Sequence, residues 1–175
     1  NTVIISPRRW GKTSLVHKVA KLISEEEKNV IICQVDIFNC RTEEEFYTVF
    51  ANSLLKSTTT VWEEFVGGVK KYLGRLAPIV SISDATQTYE LSFGIDFKDS
   101  RLSYDEILDL PQVIANDTKK RIVVCIDEFQ NINEYEEPLA FQRKLRSHWQ
   151  KHTSVCYCLY GSKPVSYTHL RAHET

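Results

Sequence analysis

The sequence predicts an α/β protein: a parallel sheet between two layers of helices. Three observations predict it. Apolar runs at 3–5, 30–35, 122–126 and 155–160 read as strands covered on both faces. Segments of helical period separate them. Two tips rich in chemistry, Gly11-Lys12-Thr13 and Asp127-Glu128, follow two of these strands. In sheets of this kind ligands bind at the carboxyl ends of the strands.

The elements follow in order. Val3-Ile4-Ile5 is the first strand and ends at a loop. After Lys12, Leu15, Val16, Val19, Leu22 and Ile23 fall on one helical stripe. Residues 30–35 form the second buried strand. Thr42 with Glu45 and Thr60 with Glu63 read as capping boxes opening two helices. Phe46, Val49, Phe50 and Leu54 mark the first of these; Phe65, Val69, Tyr72, Leu73 and Leu76 mark the second, which Gly67-Gly68 weaken. Residues 79–97 change period. Val80 and Ile82 precede a polar stretch at 83–88, and Leu91, Phe93, Ile95 and Phe97 then alternate with polar residues, which predicts a β-hairpin. Ser103 with Glu106 caps a further helix, expected to kink or restart at Pro111 and to end near Asp117. Residues 122–126 are the most buried strand. Pro138 suits a first helical turn, Leu145 and Trp149 lie four apart in that helix, and residues 155–160 form the last strand before Gly161-Ser162.

With 175 residues, 42% hydrophobic and 26% charged, the chain can bury one ordinary core. A net charge of −1 gives no global field to recruit nucleic acid or an anionic membrane. Its five cysteines include no Cys-x-x-Cys pair, and four sit in strand-like runs, so reduced core thiols of a cytoplasmic protein are expected rather than a disulfide or zinc framework. No apolar run is long enough to span a membrane. His148 and His152, four apart in the helix after Pro138, are expected on a solvated surface, since no third ligand is in sight.

The chemistry lies in the two tips. A loop feeding a helix N-terminus can hold phosphates with backbone N–H groups and the positive end of the helix dipole. In Ser6-Pro7-Arg8-Arg9-Trp10-Gly11-Lys12-Thr13-Ser14, Gly11 allows close approach, Lys12 reaches the β- and γ-phosphates, and the Thr13 hydroxyl ligates Mg²⁺. The phosphate-binding pattern wants glycine six positions before the lysine, where Ser6 stands; a positive φ costs serine more than glycine, and Pro7 stiffens the turn. Asp127 can hold the same magnesium, and Glu128 can orient and deprotonate the attacking water. The expected architecture is therefore a P-loop nucleoside-triphosphatase core with a hairpin insertion. ATP and Mg²⁺ are its expected ligands. Pro7, Arg8, Arg9, Trp10, Gly11, Lys12, Thr13 and Ser14 are the expected nucleotide contacts, with Lys12 and Glu128 catalytic and Thr13 and Asp127 on the metal. A strand-to-helix turn and a surface Asp-Glu turn are the ordinary alternatives, and both would have to hold at once. A small-molecule kinase fits less well, because adjacent Asp and Glu suit water activation.

The extra strand between the tips and the glutamate directly after Asp127 resemble the additional-strand, catalytic-glutamate branch of P-loop ATPases, which includes AAA+ and STAND proteins. That resemblance implies that strand 155–160 lies between the first strand and the Asp127 strand, with Ser162 as a polar sensor near the γ-phosphate. More narrowly, Ser-Pro-Arg-Arg-Trp-Gly-Lys-Thr-Ser-Leu, Asp-Glu-Phe-Gln and Leu-Tyr-Gly-Ser-Lys resemble the archaeal-type ATPases, in which serine at the Ser6 position is a family trait. The resemblance implies ATP hydrolysis coupled to switching or remodelling of a partner. It also implies a further C-terminal domain that binds DNA or protein. A nucleotide-binding regulatory module of negligible turnover is the alternative. Homo-oligomers are a further implication, with Arg143 and Arg146 either arginine fingers or, as expected here, a basic solvated face.

Residues 1–164 are expected to be this ATPase domain, incomplete at both ends and cut before its last core strand. Residues 165–175 resemble the conceptual translation of a sequencing adapter, which removes His169, His173 and Glu174 from consideration as a metal group.

Overall fold

The computed structural model describes residues 1–7, 9–58 and 103–162, together with the backbone of 79–82 and 89–92. Four parallel strands form the main sheet: β1 (Thr2–Ile5), β2 (Val30–Asp36), β5 (Arg121–Asp127) and β6 (Val155–Gly161), in the order β1-β6-β5-β2. Strand β6 thus sits between β1 and β5, as the resemblance implies. Strands β3 (Ile79–Ile82) and β4 (Tyr89–Ser92) pair antiparallel from Ile79↔Ser92 to Ile82↔Tyr89. The predicted hairpin therefore forms, while its turn and its continuation through Phe97 lie outside the described residues. So do the helix expected from Thr60, Arg8, and the whole 165–175 tail.

The sheet's two faces are covered unequally. One face carries α2 (Glu43–Thr58), α3 (Tyr104–Thr118) and α4 (Pro138–Trp149). Alternate strand residues, Cys33, Val35, Val124, Ile126, Tyr157 and Leu159, join Phe46, Phe50, Leu54, Ile107, Ile114, Phe141 and Leu145 in the main core. The other face carries only α1 (Lys12–Glu26) among the described residues, and its core is Val16, Cys125 and Tyr160 with half-buried neighbours. The predicted α1 stripe is consequently only half used. Val16 and Ala20 are buried, whereas Leu15, Val19 and Leu22 are exposed, because no second described helix flanks α1.

Local signals behaved as their physics dictates, with two departures. Ser103 and Glu106 make a complete capping box at α3. At α2 only half of the box forms: Thr42 Oγ1 accepts from Glu45 N–H at 3.2 Å, but the Glu45 carboxylate turns to Arg41 N–H at 2.5 Å instead of to the Thr42 amide. Helix α3 runs unbroken through Pro111 to Thr118, rather than restarting there. Proline removes one backbone donor, and the buried Ile107, Leu108, Leu110, Pro111 and Ile114 hold the helix through the loss. Lys119, in the left-handed region at φ 55°, ends it.

Candidate functional site

The loop after β1 delivers the first half of the site. Ile5 ends the strand and Lys12 starts α1. Two described loop residues take the left-handed conformation, Arg9 at φ 65° and Gly11 at φ 76°. Ser6 does not, so the sharp turn falls on Arg9 and Gly11 and the missing glycine at position 6 costs little. A Cβ at Gly11 would meet nothing within 4 Å, so glycine serves there for its backbone angle and not for space. Helix α1 begins without a side-chain cap and without an acidic residue in its first turn. Its first N–H groups and dipole are left for an anion. The Lys12 ammonium is folded against the loop, donating to Ser6 O at 2.7 Å and to Pro7 O at 2.8 Å.

The tip of β5 supplies the second half. Thr13 Oγ1 donates to Asp127 Oδ2 at 2.7 Å, joining residues 114 apart in sequence. Asp127 Oδ1 accepts from Glu128 N–H at 2.7 Å, and Glu128 itself is left-handed, φ 53° and ψ 34°. Asp36, at the end of β2, stands directly beside Asp127 in the sheet register. Burial pushes the Asp127 carboxyl above the usual carboxylate range. The Thr13 and Glu128 N–H bonds oppose this, while the charges of Glu128 and Asp36 add to it. The Asp127 carboxylate, with the Thr13 hydroxyl on one of its oxygens, is a donor pair of the kind a hard cation takes. Magnesium asks for hard oxygens, usually one or two from protein with phosphates and waters completing an octahedron. Thr13 Oγ1 and Asp127 Oδ2 fit that demand.

The tip of β6 closes the site. Ser162 Oγ donates to Glu128 Oε2 at 3.3 Å. A cavity of about 370 Å³ is lined by Arg9, Gly11, Lys12, Thr13, Ser14, Glu128 and Ser162. Seven expected site residues from three separate stretches therefore share one concavity at the carboxyl ends of the strands. Pro7 contributes its carbonyl to Lys12, and Trp10 is 74% exposed; neither lines the cavity.

Two participants were missed by sequence reasoning. Gln130, buried on the 3₁₀ turn Phe129–Glu134, donates through Nε2 to Glu128 Oε2 and accepts Ser162 N–H at 3.2 Å. Asp36 owes its place to the pairing of β2 with β5, and a carboxylate closing an apolar strand was its only local signal. The expectation for the histidine pair is corrected. His148 and His152 have side chains only 12% and 3% exposed, because the last turn of α4 and the segment that follows it pack against Asp109 of α3. His148 Nδ1 lies 2.7 Å and His152 Nε2 3.3 Å from Asp109 Oδ1, and His152 Nδ1 lies 2.8 Å from the Tyr157 hydroxyl. Among the described residues no group of three or more His, Cys, Asp or Glu side chains could hold a metal. Arg143 is exposed, and Arg146 lies beside Asn1 and Thr2 at the opposite end of the sheet from the cavity.

No curated protein matches the chain. Among solved structures it is similar to a Walker-type ATPase of Pyrococcus abyssi, with 16% identity and a TM-score of 0.52 over 92% of this chain and 40% of that one. It is similar also to Cdc6p from Pyrobaculum aerophilum, at 14% identity and a TM-score of 0.51 over 93% of this chain and 32% of that one. The ORC2 protein of Aeropyrum pernix, solved as ADPNP–ADP complexes, gives 18% identity and a TM-score of 0.56 over 98% of this chain and 37% of that one. The chain spans at most 40% of the length of these proteins, and at such identities the likeness establishes the α/β fold. The family model described as Predicted AAA-ATPase matches residues 1–156, so the chain belongs to the AAA-ATPase-like family.

Proposed function

We propose that this domain binds ATP with Mg²⁺ and hydrolyses it, the turnover driving a conformational switch in the chain or remodelling of a partner. The observation that carries the reading is the 2.7 Å bond from Thr13 to Asp127, which brings the uncapped N-terminus of α1 and the acidic tip of β5 into one cavity. Backbone amides from Gly11 to Ser14 cradle the phosphates, aided by the α1 dipole. The Lys12 ammonium exchanges its loop carbonyls for β- and γ-phosphate oxygens. Thr13 and Asp127 hold the magnesium, which when bound offsets the charge of the phosphates. Glu128 orients the attacking water and accepts its proton, a role worth about 10²–10⁴ in rate for a well-placed base. Ser162, bonded to that carboxylate, contacts the γ-phosphate side of the nucleotide. Arg9 stands in the cavity wall and adds positive charge for the phosphates.

The ADPNP and ADP bound to the Aeropyrum pernix ORC2 protein support an adenine nucleotide. No helix among the described residues is long and apolar enough to cross a membrane, which is compatible with a cytoplasmic site of action. The driven partner, protein or DNA, and self-association belong to the same proposal. A regulatory module that binds ATP and barely turns it over is the competing reading, and the Glu128 carboxylate in the cavity wall favours hydrolysis over it.

The test is a pair of variants measured by nucleotide titration and phosphate release. Lys12→Ala is expected to abolish ATP binding. Glu128→Gln is expected to keep ATP affinity within about threefold while lowering kcat by about 10²–10⁴. Normal ATP binding by the first variant would remove the phosphate loop; a wild-type rate in the second would leave the regulatory reading.

A further inference from the structure

Strand β5 ends at Asp127, and Glu128 then turns the chain through the left-handed region. That turn returns the side chain of residue 130 to the side chain of residue 128. Gln130 is only 5% exposed, and both ends of its amide are engaged. Nε2 donates to Glu128 Oε2, and Oε1 accepts the Ser162 N–H at 3.2 Å. Ser162 Oγ donates to the same Glu128 Oε2 at 3.3 Å. The three residues close a ring between the tips of β5 and β6. Asn131, next along the turn, donates to Ile37 O at 3.3 Å and Phe38 O at 2.9 Å, fastening the turn to the segment after β2.

The neighbouring strand is shaped around the glutamine. Gly161 has no unusual φ, yet a Cβ there would lie 1.9 Å from Gln130 Oε1 and 3.1 Å from its Cδ. Glycine is needed at 161 for room, and the room is filled by this amide. A buried amide with this much of its surroundings arranged for it is held in one orientation.

We propose that Gln130 is the positioning residue for Glu128: its amide fixes Oε2, leaves Oε1 as the oxygen that takes the proton from water, and couples that carboxylate to Ser162. The inference rests on the hydrolytic reading above. Two donors on one oxygen hold the carboxylate in a single plane; a base turned out of that plane misses its water, since a 1 Å misplacement can cost about 10²-fold in rate. Among the described residues no hydrogen bond reaches Glu128 Oε1, as the assignment requires. Movement of Ser162 with the γ-phosphate is transmitted to the base through the same amide.

The experiment compares Gln130→Leu with Gly161→Ala, each with and without Glu128→Gln, in the full chain. Far-UV melting identifies folded variants. Gln130→Leu keeps the volume and removes both bonds; Gly161→Ala keeps the glutamine but displaces it. Each is expected to lower kcat for ATP hydrolysis by about tenfold or more and to leave the ATP dissociation constant within twofold. In the Glu128→Gln background neither should slow the residual rate further, because the group they position is gone. Gln130→Ala with Gly161→Ala should be no slower than Gln130→Ala alone, since the shortened side chain no longer meets the new methyl.

A wild-type kcat in folded Gln130→Leu overturns the inference while leaving the hydrolytic reading intact. So does an equal fold-loss in the Glu128→Gln background, which would mean that the amide supports the fold and not the base. A wild-type rate in Glu128→Gln alone overturns both, and the first comparison tells the two failures apart.

Discussion

The two faces of the sheet divide the work of the molecule. The face under α2, α3 and α4 is a continuous core with an aromatic centre. Phe46 stacks on Phe50 at 5.6 Å and meets Phe141 edge-on at 5.0 Å, and Trp149 stacks on Tyr157 at 4.1 Å. Among the described residues the face under α1 buries Val16, Ala20, Cys125 and Tyr160, and leaves an apolar cavity of about 260 Å³ between helix and strands. Yet α1 is the helix whose N-terminus lines the candidate site and, in the proposed reading, would hold the phosphates. Stability thus resides on one face, while the candidate chemistry sits at the rim and draws on the lightly packed helix of the other. Elements that must respond to a ligand are drawn from the less stable part of a structure.

The largest expected effect lies at the aromatic centre. Phe46→Ala should cost about 3–5 kcal/mol, read as the loss of unfolding free energy in urea. Against a total stability of about 5–15 kcal/mol for a domain, that loss should move the urea midpoint sharply downward. A loss under 1 kcal/mol would mean that the α2 face does not dominate stability and would break the comparison.

Acid should find the same face. Burial lowers the pKa of His152 below 6.5; the carboxylate of Asp109 opposes this, and the charges of His148 and Lys151 add to it. The folded state therefore resists protonation that the unfolded chain accepts. Stability from this group is complete above the unfolded value of 6.5 and is lost as the pH falls through it toward the lower folded pKa. Urea melts at pH 7.5 and 5.5 should show a loss of stability on acidification that His152→Gln reduces. An equal loss in wild type and variant would assign the acid response to other groups.

How much of this was legible in the sequence follows from the range of each interaction. The strand and helix pattern, the tips Gly11-Lys12-Thr13 and Asp127-Glu128, and the Ser103 capping box are encoded within a few residues, and all were readable. The meeting of Thr13 with Asp127 was readable only as a consequence of strands ending at one edge. Gln130 was not readable, because its role depends on Glu128 being left-handed and on β6 lying next to β5. Asp36 depends likewise on the β2–β5 register. The histidines were misjudged because the local pattern shows neither that α3 covers the last turn of α4, where His148 sits, nor that the chain after α4 turns His152 onto Asp109 and Tyr157. The stripe of α1 was readable as a stripe, but how much of it is covered was not. Its apolar width promises burial on both flanks, and the described residues cover one of them.

The smallest expected effect tests that last point. Leu22 is 47% exposed on α1. If its flank faces water in the isolated chain, Leu22→Ser removes little buried surface, and the change should stay within about 0.5 kcal/mol. Serine's weaker helix preference accounts for part of even that. The matched measurement is a urea melt run at low and high protein concentration. A loss above 1 kcal/mol, growing with concentration, would mean that a second copy covers α1 in solution; the same loss at every concentration would mean that the chain's own residues cover it. Either result would remove the asymmetry between the faces, and with it the argument that the phosphate end of the site stands on the looser helix.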